Sequence, residues 1–499
     1  MEKTILHDLI KEAEEKANKF HLYHNHQHLS HKRNVRRLIN APAKYINEPE
    51  EWAKDKKYNP FYVLKRKEQI AKSLARKLLS GEYIPNPPFK KEIPKKNGGV
   101  RKISIYQIPD AAVSDRFYHN LLAKNKHRFS SLAYAYRNDR NIHFAIQDIA
   151  AEIASTPRIY VAEFDFSDFF GSINHIYLYE QLEKNAFLVS ALDLQVIKAF
   201  LSFEPIGIPL GTSISLFLAN LVCWTLDRKL EDEGLRFARY ADDTIIWSSD
   251  YGKISRAFDI ISDFSKHTGI FINFKKSDGI SLLQKKGLQS EFKNSKQHIE
   301  FLGYQISCDN ISIKSDSVKK IKNQISYLLY RNLIQPLISP ITNGKHIPNR
   351  GKDRDLVTAI MQIRRFLYGE ISERMLGNYL NGANKRLKFK GIMSFYPLVN
   401  DEAQMVALDA WLISTILNIL KLRKKHLLRH HPRLVFSNFP FDLSKDDLID
   451  KCKSERIFGK KGLMQIPSFL RIHKAITKGV VNEGIEKIMN PASFLYYED

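Results

Sequence analysis

The chain has 499 residues, 43% of them hydrophobic, and 78 Lys and Arg against 54 Asp and Glu give a formal charge of +24. That length exceeds what one hydrophobic core usually serves, and a positive surplus spread along the whole chain points to a polyanionic partner, most often nucleic acid. Three well-separated cysteines, Cys223, Cys308 and Cys452, argue against both a disulfide framework and a C-x-x-C zinc site, which fits a reducing, cytoplasmic setting.

The opening "MEKTILHDLIKEAEEKANKF" is an amphipathic charged pattern rather than a signal peptide, and helical spacing with many bases continues to about residue 80. His24, His28 and His31 would align on one helix face. With no cysteine or carboxylate nearby to complete a tetrahedral set, they read as a polar face or an RNA contact rather than a zinc site. A Pro-rich break, "IPNPPFKKEIP", precedes "KKNGGVRKISIYQIPD" (95–110), where Gly98-Gly99 predicts a β-hairpin with a basic tip. A helix is expected from 111 to 129, then a strand in "RIYVAEFDFSDFF" (158–170) that runs into acidic residues. Helices alternate with short strands up to a further hairpin in "FLGYQISCDNISI" (301–313), and beyond 315 strand signals nearly vanish. Mixed strands, hairpins and helices predict an α+β layer rather than a doubly wound parallel sheet. The most apolar stretches, 215–226 and 408–420, are shorter than the ~18 residues that span a bilayer, so no membrane is expected. The basic run 421–433 suits RNA backbone.

In "RYADDTIIW" the adjacent Asp242 and Asp243 sit between an aromatic residue and a run of β-formers, at the tip of what reads as a buried hairpin. Two like charges held there call for a cation unless they point into water, and Mg²⁺, which takes oxygen ligands and substrate phosphates, is the natural candidate. Neighbouring strand residues face opposite ways, so a third carboxylate is wanted, and Asp165 ends an earlier strand-like run. Two metals clamping the attacking and leaving oxygens of a phosphoryl displacement is the chemistry such a trio serves.

"FDFSDFFGSI", "GIPLGTSIS", "YADD", "GIFINFKKS" and "FLGY", in this order, resemble the successive palm motifs of reverse transcriptases, and "IPKKNGGVRKISI" and "AYRNDRNIHFAI" resemble the fingers motifs before them. The resemblance covers roughly residues 84 to 310. It implies that Asp165, Asp242 and Asp243 are catalytic and bind two Mg²⁺ ions, with Mn²⁺ as a permitted substitute, and that the carbonyl of Phe166 can face a metal. Phe170 matches the aromatic gate that leaves no room for a 2′-hydroxyl, where RNA-directed RNA polymerases use a polar residue. Lys95, Lys96 and Arg101 match bases that grip the triphosphate, Gly211 allows close approach to nucleotide or template, and Lys276 aligns with a lysine that protonates pyrophosphate. Lys102, Arg137 and Arg140 would face the template.

Pro209-Leu210-Gly211 departs from the usual Pro-Gln-Gly. Neither the maturase features of group II intron proteins nor the Val-Thr-Gly of retron enzymes is found. What remains is similar to the bacterial defence-associated class, the abortive-infection and unknown-group enzymes. Membership implies antiphage function, an RNA template with a dedicated noncoding RNA in some members, DNA product made from dNTPs, and in some members priming on a protein hydroxyl, for which Tyr496 and Tyr497 are the candidates. A homo-oligomer is left open. The alternatives are a retron or group II intron-like enzyme, or a nucleic-acid-binding scaffold with weak polymerase activity. The expected architecture is a right-hand polymerase followed by an all-α C-terminal domain: a basic helical N-terminal region (1–80), fingers (81–155), palm (156–305), thumb (306–385) and helical C-terminal domain (386–499).

Overall fold

A computed structural model describes residues 1–37, 42–95, 98–154, 156–275, 277–290, 292–338, 353–430, 439–457 and 459–495. Helix α1 (Glu2–Arg37) buries Ile5, Leu9, Ala13 and Ala17, a four-residue repeat that makes one apolar stripe. The stripe lies on α3 (Lys67–Leu79) and α4 (Ile108–Asn125), with α2 (Pro60–Lys65) alongside. Asn59 caps α2 through the backbone N–H groups of Phe61 and Tyr62. Between α3 and α4 the expected hairpin forms: β1 (Phe89–Pro94) pairs antiparallel with β2 (Val100–Ile105), and Gly98 and Gly99 supply positive φ at its tip.

The central layer is a five-stranded sheet built from β3 (Arg158–Phe164), β4 (Arg236–Tyr240), β5 (Asp243–Ser248), β6 (Gly279–Gln284) and β7 (Ser295–Lys296), in the order β4-β5-β3-β6-β7. All its pairs are antiparallel except β6 with β7. Strand alternation divides the core in two. Ala162, Phe164, Phe237 and Ile246 face one cluster, Ile159, Val161, Ala238, Ile245 and Trp247 the other.

The first face is covered by α6 (Phe169–Ser172), α7 (His175–Lys184), α8 (Ala191–Leu201), α9 (Ser213–Asp232) and α10 (Tyr251–Thr268). The amphipathic α10 is capped by Asp250 and stopped by Gly269 at φ 77°. The second face packs on α5 (Ile142–Ile153), capped by Asn141, and on a three-stranded meander of β8 (Ile299–Phe301), β9 (Tyr304–Ile306) and β10 (Ile311–Ile313). Where one hairpin is expected, the turn at 302–303 adds a second.

Helices α11 (Ser315–Leu333), α12 (Gln335–Ile338), α13 (Arg354–Tyr368), α14 (Glu373–Leu380), α15 (Glu402–His430), α16 (Lys445–Ser454), α17 (Phe469–Glu483) and α18 (Ile485–Ile488) follow, broken only by the two-residue pair β11 (Arg456–Ile457) and β12 (Lys460–Lys461). They continue the second cluster without a break at residue 385: Leu329 of α11, Ile360 of α13, Leu412 of α15 and Ile472 of α17 share it with Trp247 of the sheet.

Helix α15 departs from expectation. Over Glu402–Arg429 it is long and apolar enough, by length and composition alone, to cross a membrane, because the helix runs well past the 408–420 stretch. In this structure one face of it, Leu408, Leu412, Ile416 and Leu420, joins the core, and the fully buried Arg423 pairs with Asp353 at 2.7 Å and Asp355 at 3.1 Å.

Candidate active site

The acidic hairpin is built by β4 and β5. Tyr240 pairs with Asp243, which leaves Ala241 and Asp242 as a two-residue loop, and Ala241 takes the positive φ (58°) that tight hairpin turns need at their first position. On the other side of β5, Phe164 of β3 pairs with Thr244. One step further along that register sets Asp165 opposite Asp243. Both fall on the face that carries Ile245 and Trp247, and Asp242 occupies the adjoining turn. All three carboxylates are half-buried.

Asp165 is fixed from its other flank. Its backbone carbonyl accepts from Asn273 N–H (2.8 Å), its N–H donates to Ser277 Oγ (3.1 Å), and its Oδ2 accepts from the Asn273 side-chain amide (2.9 Å). Phe166 then forms an antiparallel bridge with Ile272. The flanking bonds belong to residues 165 and 167, so the N–H and C=O of Phe166 are turned to the opposite edge, the β5 side. Two residues upstream on the same sheet face, Glu163 and Asp278 share the Lys296 ammonium at 3.0 and 2.6 Å. Burial pushes the Glu163 carboxyl above its ordinary range although Lys296 pulls it down.

Among the described residues no group of three or more His, Cys, Asp or Glu is gathered to hold a metal ion. The three-carboxylate cage expected from the sequence is therefore not assembled by protein groups alone. The donor set still suits Mg²⁺, which keeps several waters and is commonly held by one or two carboxylates together with substrate phosphates. Of the three histidines on α1, His24 Nε2 lies 3.4 Å from the Lys44 ammonium, and His31 Nδ1 is engaged by the Pro42 carbonyl at 3.1 Å.

Phe170, on α6, is partly buried, with Phe169 at 5.4 Å and Tyr136 at 6.4 Å between ring centroids, and its carbonyl accepts from Ile208 N–H (2.7 Å). The "GIPLGTS" segment thus lies directly against the aromatic step after Asp165. Gly211 corrects an expectation. Its close approach is to the β1–β2 hairpin: an added Cβ would meet the Ser104 carbonyl at 2.7 Å, and the Leu210 carbonyl accepts from Ser104 N–H at 2.7 Å.

Lys95, Arg101 and Lys102 are exposed on that hairpin, with Arg101 and Lys102 on opposite faces of β2. Arg137 is a second correction. Only 9% exposed, it clasps Asp139 with two nitrogens (3.0 and 2.8 Å) and donates to the Ser130 carbonyl (2.7 Å), so it braces the loop before α5 and is not available to a template. Arg140 lies 6.0 Å over the Tyr134 ring. Lys96, Lys276, Tyr496 and Tyr497 fall outside the described residues, while Lys275 is exposed in the turn after Asn273.

Two groups of functional residues escape a reading of motifs. Asn273, inside "GIFINFKKS", orients the Asp165 carboxylate. Beneath the hairpin, Arg239 is 1% exposed and forked onto Asp227 of α9 at 2.7 and 2.6 Å. Arg239 also donates to the Ala241 carbonyl at 3.3 Å and to Asn220 of α9, which in turn donates to the Ala135 carbonyl at 2.9 Å. The sequence signal is slight: a basic residue within an otherwise apolar strand, with polar residues inside an apolar helix.

Residues 93–306 match the family model for reverse transcriptase (RNA-dependent DNA polymerase). The chain is 28% identical over 207 residues to the Retron Ec73 reverse transcriptase of Escherichia coli, covering 38% of this chain and 64% of that one. It is 27% identical over 169 residues to Protein YkfC of Escherichia coli (strain K12), covering 32% of this chain and 44% of that one. It therefore spans less than two thirds of these relatives' length. A solved telomerase from Candida tropicalis, in complex with a fragment of telomeric RNA, overlays with a TM-score of 0.37 at 15% identity, over 77% of this chain and 67% of that one, too weak a likeness to carry any argument. A reverse transcriptase domain generally uses divalent metal ions. An antiparallel hairpin that carries Asp242 and Asp243, a basic hairpin seated beside the same sheet and the family match over these residues lead to one conclusion: residues 93–306 of this chain are similar to the reverse transcriptase (RNA-dependent DNA polymerase) family.

Proposed function

We propose that the protein is an RNA-directed DNA polymerase that transfers dNMP from a dNTP to a 3′-hydroxyl, or to a protein hydroxyl, with release of pyrophosphate. The observation that carries this reading is the pairing of Phe164 with Thr244, which places the next residue, Asp165, at the end of β3 beside Asp243 and the Ala241–Asp242 turn. Asp165, Asp242 and Asp243 would hold two Mg²⁺ ions, which supply charge neutralisation at the attacking and leaving oxygens. Asn273 keeps the Asp165 carboxylate in one rotamer, and Arg239 keeps the turn at a fixed height. Phe170 excludes a 2′-hydroxyl, Arg101 and Lys95 draw in the triphosphate, and Lys102 and Arg140 lie toward an RNA template.

A role in antiphage defence is supported by Pro-Leu-Gly at 209–211 and by the long helical region after the palm, with a dedicated noncoding RNA as template and with Tyr496 or Tyr497 as a protein primer in the unconventional case. The similarity to a retron enzyme favours a second reading, a retron-type polymerase. Sequencing the RNA that copurifies, and then the DNA made from it, separates the two. Asp242→Asn, nearly isosteric but uncharged, is expected to reduce dNMP incorporation at least about a thousandfold and to abolish phage protection in cells. Incorporation that survives the change would overturn the polymerase site, and protection that survives it would favour a binding scaffold.

A further inference from the structure

A cavity of about 230 Å³ lies between α2, α3 and the N-terminal turn of α4, on elements that contribute nothing to the acidic hairpin. Three cations line it, Lys57, Arg66 and Lys77, and none of them forms an ion pair among the described residues; Arg66 donates only to Gln69 at 3.3 Å. The single carboxylate in the wall, Asp110, is 1% exposed, and both its oxygens are occupied: Oδ1 by Tyr83 Oη–H at 2.9 Å, Oδ2 by the Asn86 backbone and side-chain N–H groups at 3.0 and 2.9 Å. Burial raises the Asp110 carboxyl above its ordinary range, while the hydrogen bonds from Asn86 and Tyr83 and the charge of Lys57 pull it down.

The remaining lining mixes polar Gln69, Ser73 and Asn86 with apolar Ile70 and Leu74 and the half-exposed ring of Tyr62. The cavity is smaller than the roughly 300–1,000 Å³ of drug-sized pockets, so it suits one flat, anionic unit rather than a long ligand. It opens onto α2 and α3, which carry five basic residues and a single acidic one, Glu68. An aromatic rim for stacking, amide and hydroxyl groups for the base edge and three cations outside any ion pair among the described residues together match a base and its phosphate.

We infer that this cavity is a nucleoside-phosphate site, filled by one nucleotide of a bound RNA strand or by a free nucleotide. The inference does not depend on polymerase activity, so it is tested in an Asp242→Asn background. Binding of a fluorescent single-stranded RNA of about 20 nucleotides is followed by anisotropy across salt concentrations, with AMP as the mononucleotide probe.

Lys57→Ala/Arg66→Ala/Lys77→Ala is expected to weaken RNA binding at least about tenfold and to lower the slope of log K against log salt by about 1, one to two phosphates at roughly 0.7 each. Lys445→Ala/Lys451→Ala/Lys453→Ala on α16 removes the same charge and is expected to change neither. Tyr62→Ala leaves the charge intact and should weaken binding about fivefold or more through lost stacking. Loss of AMP binding alone in the pocket variants identifies a free nucleotide as the occupant. Unchanged binding of both probes, or equal loss in the α16 control, overturns the inference. Matching thermal melts of the variants exclude misfolding as the cause.

Discussion

Arg239 shows how one side chain couples the fold to the reaction. Its guanidinium is sealed from water, forked onto Asp227, and its remaining donors reach Asn220 and the Ala241 carbonyl, so the height of the acidic turn is set from below by a charge that cannot move. Its backbone is equally committed: Arg239 N–H donates to the Leu132 carbonyl at 3.0 Å and its carbonyl accepts from Tyr134 N–H at 2.9 Å. Removing one partner of a buried pair strands the other without compensation. Arg239→Met is therefore expected to cost about 3–5 kcal/mol, while Arg239→Met with Asp227→Leu should recover most of that loss. The turn stays without its donor in the double variant, so dNMP incorporation should remain at least about tenfold down, the loss that about 1.4 kcal/mol of transition-state stabilisation represents. Urea midpoints report the first effect and single-nucleotide incorporation the second. A double variant that regained both would reduce Arg239 to a purely structural residue.

At the level of elements, the β1–β2 hairpin pairs with no third strand among the described residues and is held to the segment before α9 through the Leu210–Ser104 bond and the space that Gly211 leaves. Gly211 sits at φ 100°, which side-chain-bearing residues rarely adopt, and its Cβ position is filled by the backbone of β2. Gly211→Ala should destabilise the protein by about 1–3 kcal/mol and should make the 95–99 tip more susceptible to protease. Were the close approach to nucleotide instead, the same change would raise KM for dNTP and leave the melting temperature in place. Strands and hairpins were legible in the sequence because alternation and turn glycines are local signals, and so were the acids, because strand ends and hairpin tips can be located from that alternation. Arg137 was not, since a basic residue in a basic string looks the same whether it meets solvent, RNA or Asp139. Gly211 was half legible: a glycine reports that something comes close and does not say what.

Across the whole molecule, the least legible feature is how the helices after residue 315 combine. Amphipathic spacing shows that each has an apolar face without naming the face it meets, so a boundary near 385 is a reasonable expectation from sequence. The structure instead runs one core from Val161 and Trp247 in the sheet through α11 and α13 to α15 and α17. The junction is also electrostatic. Arg423 of α15, fully buried, is the cation for Asp353 and Asp355 at the start of α13, and it donates to the Leu333 carbonyl at 2.6 Å. Glu373 of α14 meets the partly exposed Arg471 of α17 as well as Arg364 of α13 at 3.5 Å. A chain ending at residue 385 would lose Arg423 and keep the Asp353 and Asp355 carboxylates that it serves, a broken pair costing about 3–5 kcal/mol, while Glu373 would keep only Arg364. It would also expose the apolar faces of α11 and α13. That loss together with the exposed apolar faces takes up much of the roughly 5–15 kcal/mol that typically holds a domain together, so the shortened chain should fail to yield a soluble monomer by gel filtration and should bind a hydrophobic dye. A monomer that instead melts cooperatively at the full-length temperature would make 386–499 an independent appendage and leave the palm to stand on the first 385 residues alone.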